Sequence, residues 1–171
     1  MKIFKEVISY VIIILVVILI RTFFVTPVKV DGSSMYPTLK DNDILIEKKY
    51  DKSIDRFDIV VIKYKKDKLV KRVIGMPGDT VRISVTRVGS NYASKILING
   101  EVLEENYGYE PIKDAGIASG DIKLGNDEYF VLGDNRNNSS DSRFIGVIKK
   151  KNIKGVADFR LLPFKSFGNV K

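Results

Sequence analysis

Hydrophobic residues follow two different patterns along the chain, and the first is confined to its N-terminal part. Residues 7–25 form an almost continuous apolar run of 19 residues, which would make a helix of about 28 Å. That length is close to the hydrocarbon core of a bilayer, which is roughly 30 Å thick. We therefore expect residues 1–26 to be a membrane anchor, with a transmembrane helix at about residues 7–25 that Pro27 ends.

A cleaved signal peptide and a helix of a soluble core both fit this apolar run less well than an anchor does. A cleaved signal peptide would be followed by a small-x-small cleavage pattern, which the stretch Val25–Asp31 lacks. A helix of a soluble core would be apolar on one side only, whereas this run is apolar on every side. Lys2 and Lys5 favour a cytoplasmic N-terminus, although Arg21 and Lys29 on the other flank weaken that signal.

The second pattern begins after Pro27 and consists of short runs rich in Val and Ile, separated by turn residues. Such runs are typical of β-strands, and the pair Asn99-Gly100 between two of them favours a tight hairpin. Residues 104–127 are polar and contain glycine, so we expect a long loop there. The fold predicted for residues 27–171 is mainly β, antiparallel and partly barrel-like. The predicted strands are Val28–Val30, Asp43–Glu47, Asp58–Tyr64, Leu69–Ile74, Thr80–Thr86, Lys95–Leu97, Glu101–Leu103, Glu128–Leu132 and Gly155–Leu162.

The composition excludes several classes of catalytic site. The chain of 171 residues contains no histidine and no cysteine. A Ser-His-Asp triad, an HExxH zinc site, a thiol nucleophile and a disulfide are therefore excluded. Acid–base chemistry must use Ser, Thr, Lys, Tyr, Asp or Glu, and a metal could be bound only by oxygen ligands. The formal net charge of +8 is compatible with anionic lipid, nucleic acid or simple solubility.

One serine and one lysine are candidates for chemistry. Ser34 lies in Gly32–Pro37, where a turn would expose its hydroxyl, although an ordinary cap or turn serine would fit the same residues. Lys71 shares one face of a predicted strand with Leu69 and Val73. Apolar neighbours would lower the pKa of this lysine and allow it to act as a general base. The alternative is a surface lysine whose stem covers those neighbours.

A third segment, Gly133–Arg143, follows an apolar strand and contains two aspartates, two arginines and several hydroxyl groups. A solvated loop and an oxygen-ligand cation site are both compatible with these residues. The EF-hand pattern fails, because Arg136 occupies a position where a ligand is needed.

Together the three segments resemble the type I signal peptidases, membrane-anchored endopeptidases that use a Ser–Lys pair. The resemblance runs in order from the anchor through Val30–Leu39, Arg56–Lys63, Lys71–Asp79 and Gly133–Arg143, over essentially the whole chain. The short length and single anchor look like the Gram-positive-type members. The resemblance implies a serine endopeptidase that removes N-terminal signal peptides from translocated preproteins and cleaves after small-x-small motifs.

The resemblance also implies roles for individual residues. Ser34 precedes Met35 in a Ser-Met-x-Pro motif, so it would be the nucleophile, and its backbone N–H would donate to the oxyanion. Lys71 would be the general base, and Ser139 would hydrogen-bond to this lysine and orient it. The implied structural ion pairs are Asp134–Arg72 and Asp141–Arg143.

Three residues depart from the family pattern. Gly32 stands where some members have a hydroxyl that donates to the oxyanion, so a side-chain donor is missing at that position. Phe57 stands where glycine is usual, and Asn137 where aspartate is common. None of the three departures removes a catalytic group.

The resemblance implies partners and a location as well. Preproteins would bind in an extended form at strand edges, and Met35, Tyr36 and Pro37 would touch the bilayer. The basic chain would favour anionic membrane lipid, whereas no nucleic acid, metal or organic cofactor is expected. The N-terminus would be cytoplasmic, and the catalytic domain, residues 27–171, would be extracytoplasmic. The expected walls of the substrate pockets are Val28, Val30, Met35, Leu39 and Leu69.

Two alternative functions remain open. In a membrane-tethered binding or scaffold domain, Ser34 and Lys71 would be structural, and replacing either would leave function intact. A nucleic-acid-binding protein would resemble the self-cleaving repressors, whose protease domain looks similar. Those repressors carry a DNA-binding module in place of the anchor, and this chain shows no helix-turn-helix pattern and no interleaving of aromatic and basic residues.

Overall fold

The computed structural model describes residues 2–49 and 53–170, which form one N-terminal helix followed by two antiparallel sheets. Short 3-10 helices lie at Gly116–Ser119, Lys150–Asn152 and Phe164–Ser166. The elements in chain order are α1 (Lys2–Phe23), β1 (Val25–Lys29), β2 (Ile44–Lys48), β3 (Ile59–Tyr64), β4 (Asp67–Gly75), β5 (Thr80–Val88), β6 (Asn91–Ile98), β7 (Glu101–Val102), β8 (Ile122–Lys123), β9 (Glu128–Leu132), α2 (Ser142–Ile145), β10 (Ile148–Lys149), β11 (Ile153–Leu162) and β12 (Gly168–Asn169).

The N-terminal apolar run is helical, as predicted, but its helix ends earlier than expected. Helix α1 ends at Phe23, and strand β1 begins at Val25, so Pro27 lies inside a strand instead of ending the helix. Strand β1 is at the edge of its sheet and pairs only with β2, a position where a residue without an N–H is tolerated.

The side chains of α1 from Phe4 to Leu19 are exposed. Among the residues described, no helix is both long enough and apolar enough to be counted as a membrane span. The helix is therefore confirmed, whereas its role as a transmembrane span stays a prediction.

The larger sheet has the strand order β1-β2-β11-β3-β4-β9-β10, with β12 added beside β11. Its central strand β3 is buried on both faces. Ile59 and Val61 contribute to an apolar cluster on one face, while Val60 and Ile62 contribute to a second cluster on the other. Because successive side chains of a strand point to opposite faces, this strand reads as a continuous apolar run. Strand β4, which carries Lys71, pairs directly with β3.

The smaller sheet has the order β7-β6-β5-β8 and packs on the larger one through a third apolar cluster. That cluster joins Val81 and Ile83 of the smaller sheet to Phe130 and Leu132 of the larger. The predicted hairpin at Asn99-Gly100 is present, and both residues have the positive φ angles of a type I′ turn, 55° and 89°.

The antiparallel β prediction is confirmed, but the described strands form two open sheets and not a closed barrel. Sequence patterns missed β8, β10 and β12, because two residues are too few to show alternation. The expected loop at residues 104–127 is irregular for most of its length, yet it buries Ile112, Ala118 and Leu124 in the cluster between the sheets. It is therefore part of the core.

Candidate active site

Ser34 lies in a tight turn that buried residues hold at the surface of the larger sheet. The side chains of Met35 and Leu39 are almost completely buried beneath the turn, so the backbone on the C-terminal side of Ser34 is anchored by apolar contacts. On the other side, the Gly32 N–H donates a 2.8 Å hydrogen bond to the Asp41 carboxylate, and Gly32 has a φ of 83°. Glycine tolerates this left-handed conformation, which a residue with a side chain would resist.

Lys71 meets this serine from strand β4. Its Nζ donates a 2.6 Å hydrogen bond to Ser34 Oγ and a 3.0 Å bond to the Val70 carbonyl oxygen. Only 3% of Lys71 is exposed. As predicted from the alternation, Leu69 and Val73 belong to the same apolar environment, because both pack in or against the cluster around Val60, which is the residue opposite Lys71 on β3. The lysine is therefore held against the serine by an apolar wall.

Burial is the main influence on the charge of this lysine. Desolvation lowers the pKa of Lys71 from 10.5 to about 8, because the ammonium form is disfavoured away from water. The carboxylates of Asp141 and Asp134 oppose this change and raise the pKa, since a nearby negative charge stabilises the ammonium. The balance places the proton equilibrium of Lys71 close to neutral pH, where a general base is most effective.

The segment Gly133–Arg143 docks onto the serine turn through two asparagines. The Asn135 backbone N–H donates to the Ser34 carbonyl oxygen at 3.0 Å, and its Nδ2 donates to the Ser33 carbonyl oxygen at 3.1 Å. The Asn138 Nδ2 donates to Ser33 Oγ at 2.9 Å. Sequence reasoning missed both asparagines as site residues. The available signal was that they lie in the same segment as the two aspartates.

Two buried ion pairs stiffen this segment. The guanidinium of Arg72 donates to both carboxylate oxygens of Asp134, through Nε at 2.9 Å and Nη2 at 2.7 Å. Arg143 makes the same two-pronged contact with Asp141 at 2.8 Å for each bond. All four side chains are at most 1% exposed. Paired donors and acceptors of this kind offset the large cost of burying a charge.

Further hydrogen bonds tie each ion pair to the site. Thr38, four residues after the candidate nucleophile, donates from its hydroxyl to Asp134 at 2.6 Å. The backbone N–H of Gly133 donates to Asp141 at 3.0 Å. Asp134 therefore connects the serine turn to the strand of Lys71, while Asp141 fixes the beginning of the docking segment.

Ser139 lies at the site but does not make the hydrogen bond expected of it. Its Oγ is buried and has no hydrogen-bond partner among the described residues, so the predicted contact with Lys71 is not formed here. The close approach depends on Gly133, where a Cβ atom would overlap both Ser139 Oγ and the Ser34 carbonyl oxygen. The hydroxyl is next to the serine turn.

Phe57 shows why this position suits glycine. Its φ is 76°, in the left-handed region that a bulky residue rarely adopts. Two contacts hold it there. Its carbonyl oxygen accepts a 2.8 Å hydrogen bond from Arg72, and its ring lies 5.2 Å from that of Tyr107. The same tyrosine ring covers the Arg72 guanidinium at 3.7 Å. Phe57, which departs from the family pattern, therefore helps to support the ion pair between Arg72 and Asp134.

The chain was compared with families of known proteins. The family described as "Signal peptidase, peptidase S26" matches residues 3–162 of the chain. The chain belongs to this family. It is therefore a serine peptidase, and the recognition of the family from sequence motifs is confirmed.

Two relatives from Bacillus species agree with this assignment. The chain is 37% identical to "Signal peptidase I S" of Bacillus subtilis, over 91% of this chain and 87% of the relative. It is 36% identical to "Signal peptidase I" of Bacillus amyloliquefaciens, over 95% of this chain and 90% of the relative. A crystal structure of a signal peptidase I from Enterococcus faecalis is 29% identical and matches with a TM-score of 0.42, over 61% of this chain and 96% of that one.

The expected pocket walls of this peptidase divide into two groups. Val28, Val30, Met35 and Leu39 belong to one buried cluster beneath the serine turn, whereas Leu69 packs against the cluster on the opposite face. Met35 is only 1% exposed, so the expected contact of this side chain with a bilayer is wrong. Its apolar side chain anchors the turn in the core instead.

The backbone N–H of Ser34 makes no hydrogen bond to any other described residue. Within residues 2–49 and 53–170, no three acidic side chains are grouped in a way that could hold a metal ion. The arrangement brings together a hydroxyl, a buried amine and a free backbone donor. This is the minimum set for nucleophilic cleavage of an amide through an acyl-enzyme.

Proposed function

We propose that this peptidase removes N-terminal signal peptides from translocated preproteins, and that Ser34 and Lys71 form its catalytic dyad. The observation that carries the proposal is the 2.6 Å contact between Lys71 Nζ and Ser34 Oγ in a pocket that lowers the lysine pKa to about 8. A chain without histidine needs another base for its serine, and a buried lysine is the usual substitute.

In the first half of the reaction, neutral Lys71 takes the proton from Ser34 Oγ as this oxygen attacks the scissile carbonyl carbon. The Ser34 N–H donates a hydrogen bond to the oxygen that becomes negative. Lys71 then gives the proton to the leaving amine as the amide bond breaks, and an acyl-enzyme remains on Ser34. In the second half, Lys71 takes a proton from a water molecule that attacks the ester carbonyl carbon. The bond between Ser34 Oγ and the acyl carbon then breaks, Lys71 returns the proton to Ser34 Oγ, and the signal peptide leaves with a new carboxyl terminus.

Cleavage after small-x-small sequences requires shallow pockets for small apolar side chains. Val28, Val30, Met35 and Leu39 surround the serine turn and are the proposed residues that shape such pockets from beneath. Ser139 is proposed to orient Lys71 when substrate is bound, because its free Oγ lies beside the turn. The ion pairs of Asp134 and Asp141 are proposed to be structural.

We propose that residues 1–26 anchor the enzyme in the membrane and that residues 27–171 form the catalytic domain outside it, with the N-terminus in the cytoplasm. From Val7 to Leu19 the described side chains of α1 are almost all apolar and exposed, which suits lipid better than water. An anchor would raise the effective concentration of the enzyme for a membrane-bound preprotein, since both would share one surface. Anionic lipid is the proposed partner of the basic chain.

The test uses the purified full chain in liposomes and a preprotein with an Ala-x-Ala site, with products identified by mass. Ser34→Ala and Lys71→Ala should each reduce specific cleavage by at least about 10³-fold. Ser33→Ala is the matched control and should retain activity, because the Ser33 hydroxyl only accepts a hydrogen bond from Asn138. A folded wild type that cuts nothing would favour the tethered binding domain instead. A Lys71→Ala variant that cuts normally would contradict the assignment of Lys71 as the base while leaving the peptidase activity intact.

A second substrate tests the specificity. A preprotein with leucine in place of the alanine before the cut should be cleaved much more slowly, because a large side chain does not fit a shallow pocket. Equal cleavage of both preproteins would contradict the small-x-small assignment while leaving the dyad intact.

A further inference from the structure

A groove lined by five lysines lies apart from the contact between Ser34 and Lys71. It has a volume of about 460 Å³ and opens where strands β2, β3, β4 and β11 end on one side of the larger sheet. We call it the lysine groove. Its basic lining residues are Lys49, Lys63, Lys66, Lys68 and Lys154.

The lysine groove carries a net positive charge. Among the described residues that line it, five are lysines and two are carboxylates, those of Glu47 and Asp67. Glu47 is buried, and Lys68 Nζ lies 3.7 Å from its Oε2. Lys63, Lys66 and Lys154 are exposed. The groove therefore presents several ammonium groups to solvent around one buried carboxylate, an arrangement that suits a ligand with negative charge.

The strand pairing places this groove at the point where α1 leaves the domain. The Lys49 N–H donates a 3.0 Å hydrogen bond to the carbonyl oxygen of Phe24, the residue directly after α1. On the neighbouring strands, Lys48 is opposite Val156 of β11, and Lys63 is opposite Lys68. The groove thus begins beside the end of α1, because Lys49 is one of its lining residues.

We propose that the lysine groove is a docking surface for the headgroups of anionic phospholipids. The inference rests on the proposed anchoring role of α1, which would bring the groove to the bilayer surface. Ammonium groups next to a membrane are attracted by anionic headgroups, and each lysine contributes about fivefold to the partition onto such a surface. The groove would then bind the lipid headgroups, and the apolar helix would lie in the hydrocarbon core of the same membrane.

Docking would also set the height of the active site above the membrane. Lys68 and Lys71 lie three residues apart on β4, which corresponds to roughly 10 Å along a strand. A groove held at the headgroups would keep the Ser34–Lys71 pair close to the lipid surface and limit rocking of the domain about the end of α1. The lysine groove is therefore a positioning surface, and its residues do not touch the reacting atoms.

The experiment uses the full chain in vesicles and a readout that is independent of peptidase activity. Because the chain contains no cysteine, Lys151→Cys provides a unique attachment point for a fluorescent donor in the short helix that adjoins the groove. Energy transfer to headgroup-labelled lipid is measured in vesicles of phosphatidylcholine alone and in vesicles that also contain phosphatidylglycerol. A donor at Asn91→Cys, on the β5–β6 hairpin, is the reference position.

We expect phosphatidylglycerol to increase energy transfer from position 151 more than from position 91. The combined variant Lys63→Gln, Lys66→Gln, Lys154→Gln should lower the ratio of docked to undocked domain by about 100-fold. The matched variant Arg82→Gln, Arg87→Gln, Lys95→Gln removes the same number of exposed charges from the smaller sheet and should retain the response. Salt of about 0.5 M should abolish the response, since it screens charges over a few ångströms.

Equal responses of the two triple variants, or energy transfer that is the same in both kinds of vesicle, would overturn the proposal. Capture of an oligonucleotide that depends on these lysines, without any response to phosphatidylglycerol, would overturn it too and assign the groove to nucleic acid. Flotation of the chain with phosphatidylcholine vesicles reports the anchor separately. A chain that floats only with phosphatidylglycerol vesicles, and only with its three lysines, would support the groove while contradicting the anchor.

Discussion

The two sheets of this peptidase bury different kinds of side chain. The larger sheet and the segments docked on it enclose many charged groups, including Lys71, Arg72, Asp134, Asp141 and Arg143. Between residues 80 and 128, which include all strands of the smaller sheet, every buried side chain of the described residues is apolar. Ion pairs of the smaller sheet are exposed, as between Arg82 and Asp121 at 3.9 Å.

The contrast between the two sheets indicates which parts of this fold should be most sensitive to substitution. A buried charge is tolerated only while its partner and its hydrogen bonds remain in place, so the larger sheet depends on exact contacts between distant segments. An apolar cluster depends chiefly on volume, and its solvent-facing charges contribute little. The same change should therefore have a large effect in one sheet and a small effect in the other. Four matched pairs of substitutions test whether the two sheets differ in this way.

The largest contrast is expected between two aspartates. Asp141→Asn should lower the free energy of unfolding by about 3–5 kcal/mol, because it leaves the buried Arg143 without its counter-charge. Asp121→Asn should change it by less than about 0.5 kcal/mol, because its partner Arg82 is exposed. Urea unfolding in detergent, followed by the fluorescence of the eight tyrosines, measures both. If both variants lowered the free energy of unfolding equally, the two sheets would not differ in their dependence on ion pairs.

Two glycines give the next contrast. Gly133→Ala forces a Cβ atom against Ser139 and the Ser34 carbonyl oxygen, so peptidase activity should fall by about 10²-fold as the serine turn shifts. Gly120→Ala meets nothing within 4 Å and has an ordinary φ of −102°, so activity should not change. Initial cleavage rates at saturating and at low substrate measure the effect. A fully active Gly133→Ala enzyme would show that the turn and the docked segment can separate freely.

The dependence of activity on pH tests the environment of Lys71. With a pKa of about 8, the neutral fraction of this lysine, and with it kcat/KM, should rise about tenfold between pH 7 and pH 9. Lys95→Gln on the smaller sheet should leave this profile unchanged, because Lys95 is exposed there. A profile that is flat over this range would contradict the assignment of Lys71 as the base.

The same pKa has a consequence for stability with a defined sign. Between about pH 8 and 10.5 the unfolded chain binds a proton at Lys71 that the folded chain has lost. The contribution of Lys71 to the free energy of unfolding should therefore increase with pH in that window and should be absent in Lys71→Met. Unfolding measured at both ends of the window would show the difference between the two proteins.

The smallest contrast is between two threonines. Thr38→Val removes one hydrogen bond to Asp134, whose other bonds to Arg72 remain, so the free energy of unfolding should fall by about 1 kcal/mol. Thr86→Val, on an exposed part of β5, should have almost no effect, because valine suits a strand equally well. A loss at Thr38 that equals the loss at Asp141 would mean that the two ion pairs form a single cooperative network.

Much of this architecture could be predicted from local patterns. Runs of Val and Ile identified the longer strands, and the pair Asn99-Gly100 identified its hairpin, because both signals depend only on neighbouring residues. The end of α1 could not be predicted correctly from Pro27. Pairing of Val25 with Lys48 extends the strand toward the helix, and that pairing depends on residues far along the chain.

The candidate site also contains some residues that could be predicted from the sequence and others that could not. Ser34, Lys71 and the two aspartates were found from motifs, and the alternation of β4 gave the correct apolar environment of the lysine. The roles of Asn135, Asn138 and Thr38 were not visible, since hydrogen bonds between segments about 100 residues apart leave no local pattern. Ser139 shows the converse, because its motif position implied a hydrogen bond that its packing does not form.

The order of amino acids was enough to establish that the chain is mainly β, that it has an apolar N-terminal helix, and that its base cannot be histidine. These conclusions follow from composition and from short-range periodicity. The folded structure was needed to establish the 2.6 Å contact of Lys71 with Ser34, the lowered pKa of that lysine and the position of the lysine groove beside α1. Distances and desolvation depend on which distant segments pack together, and no local pattern contains that information.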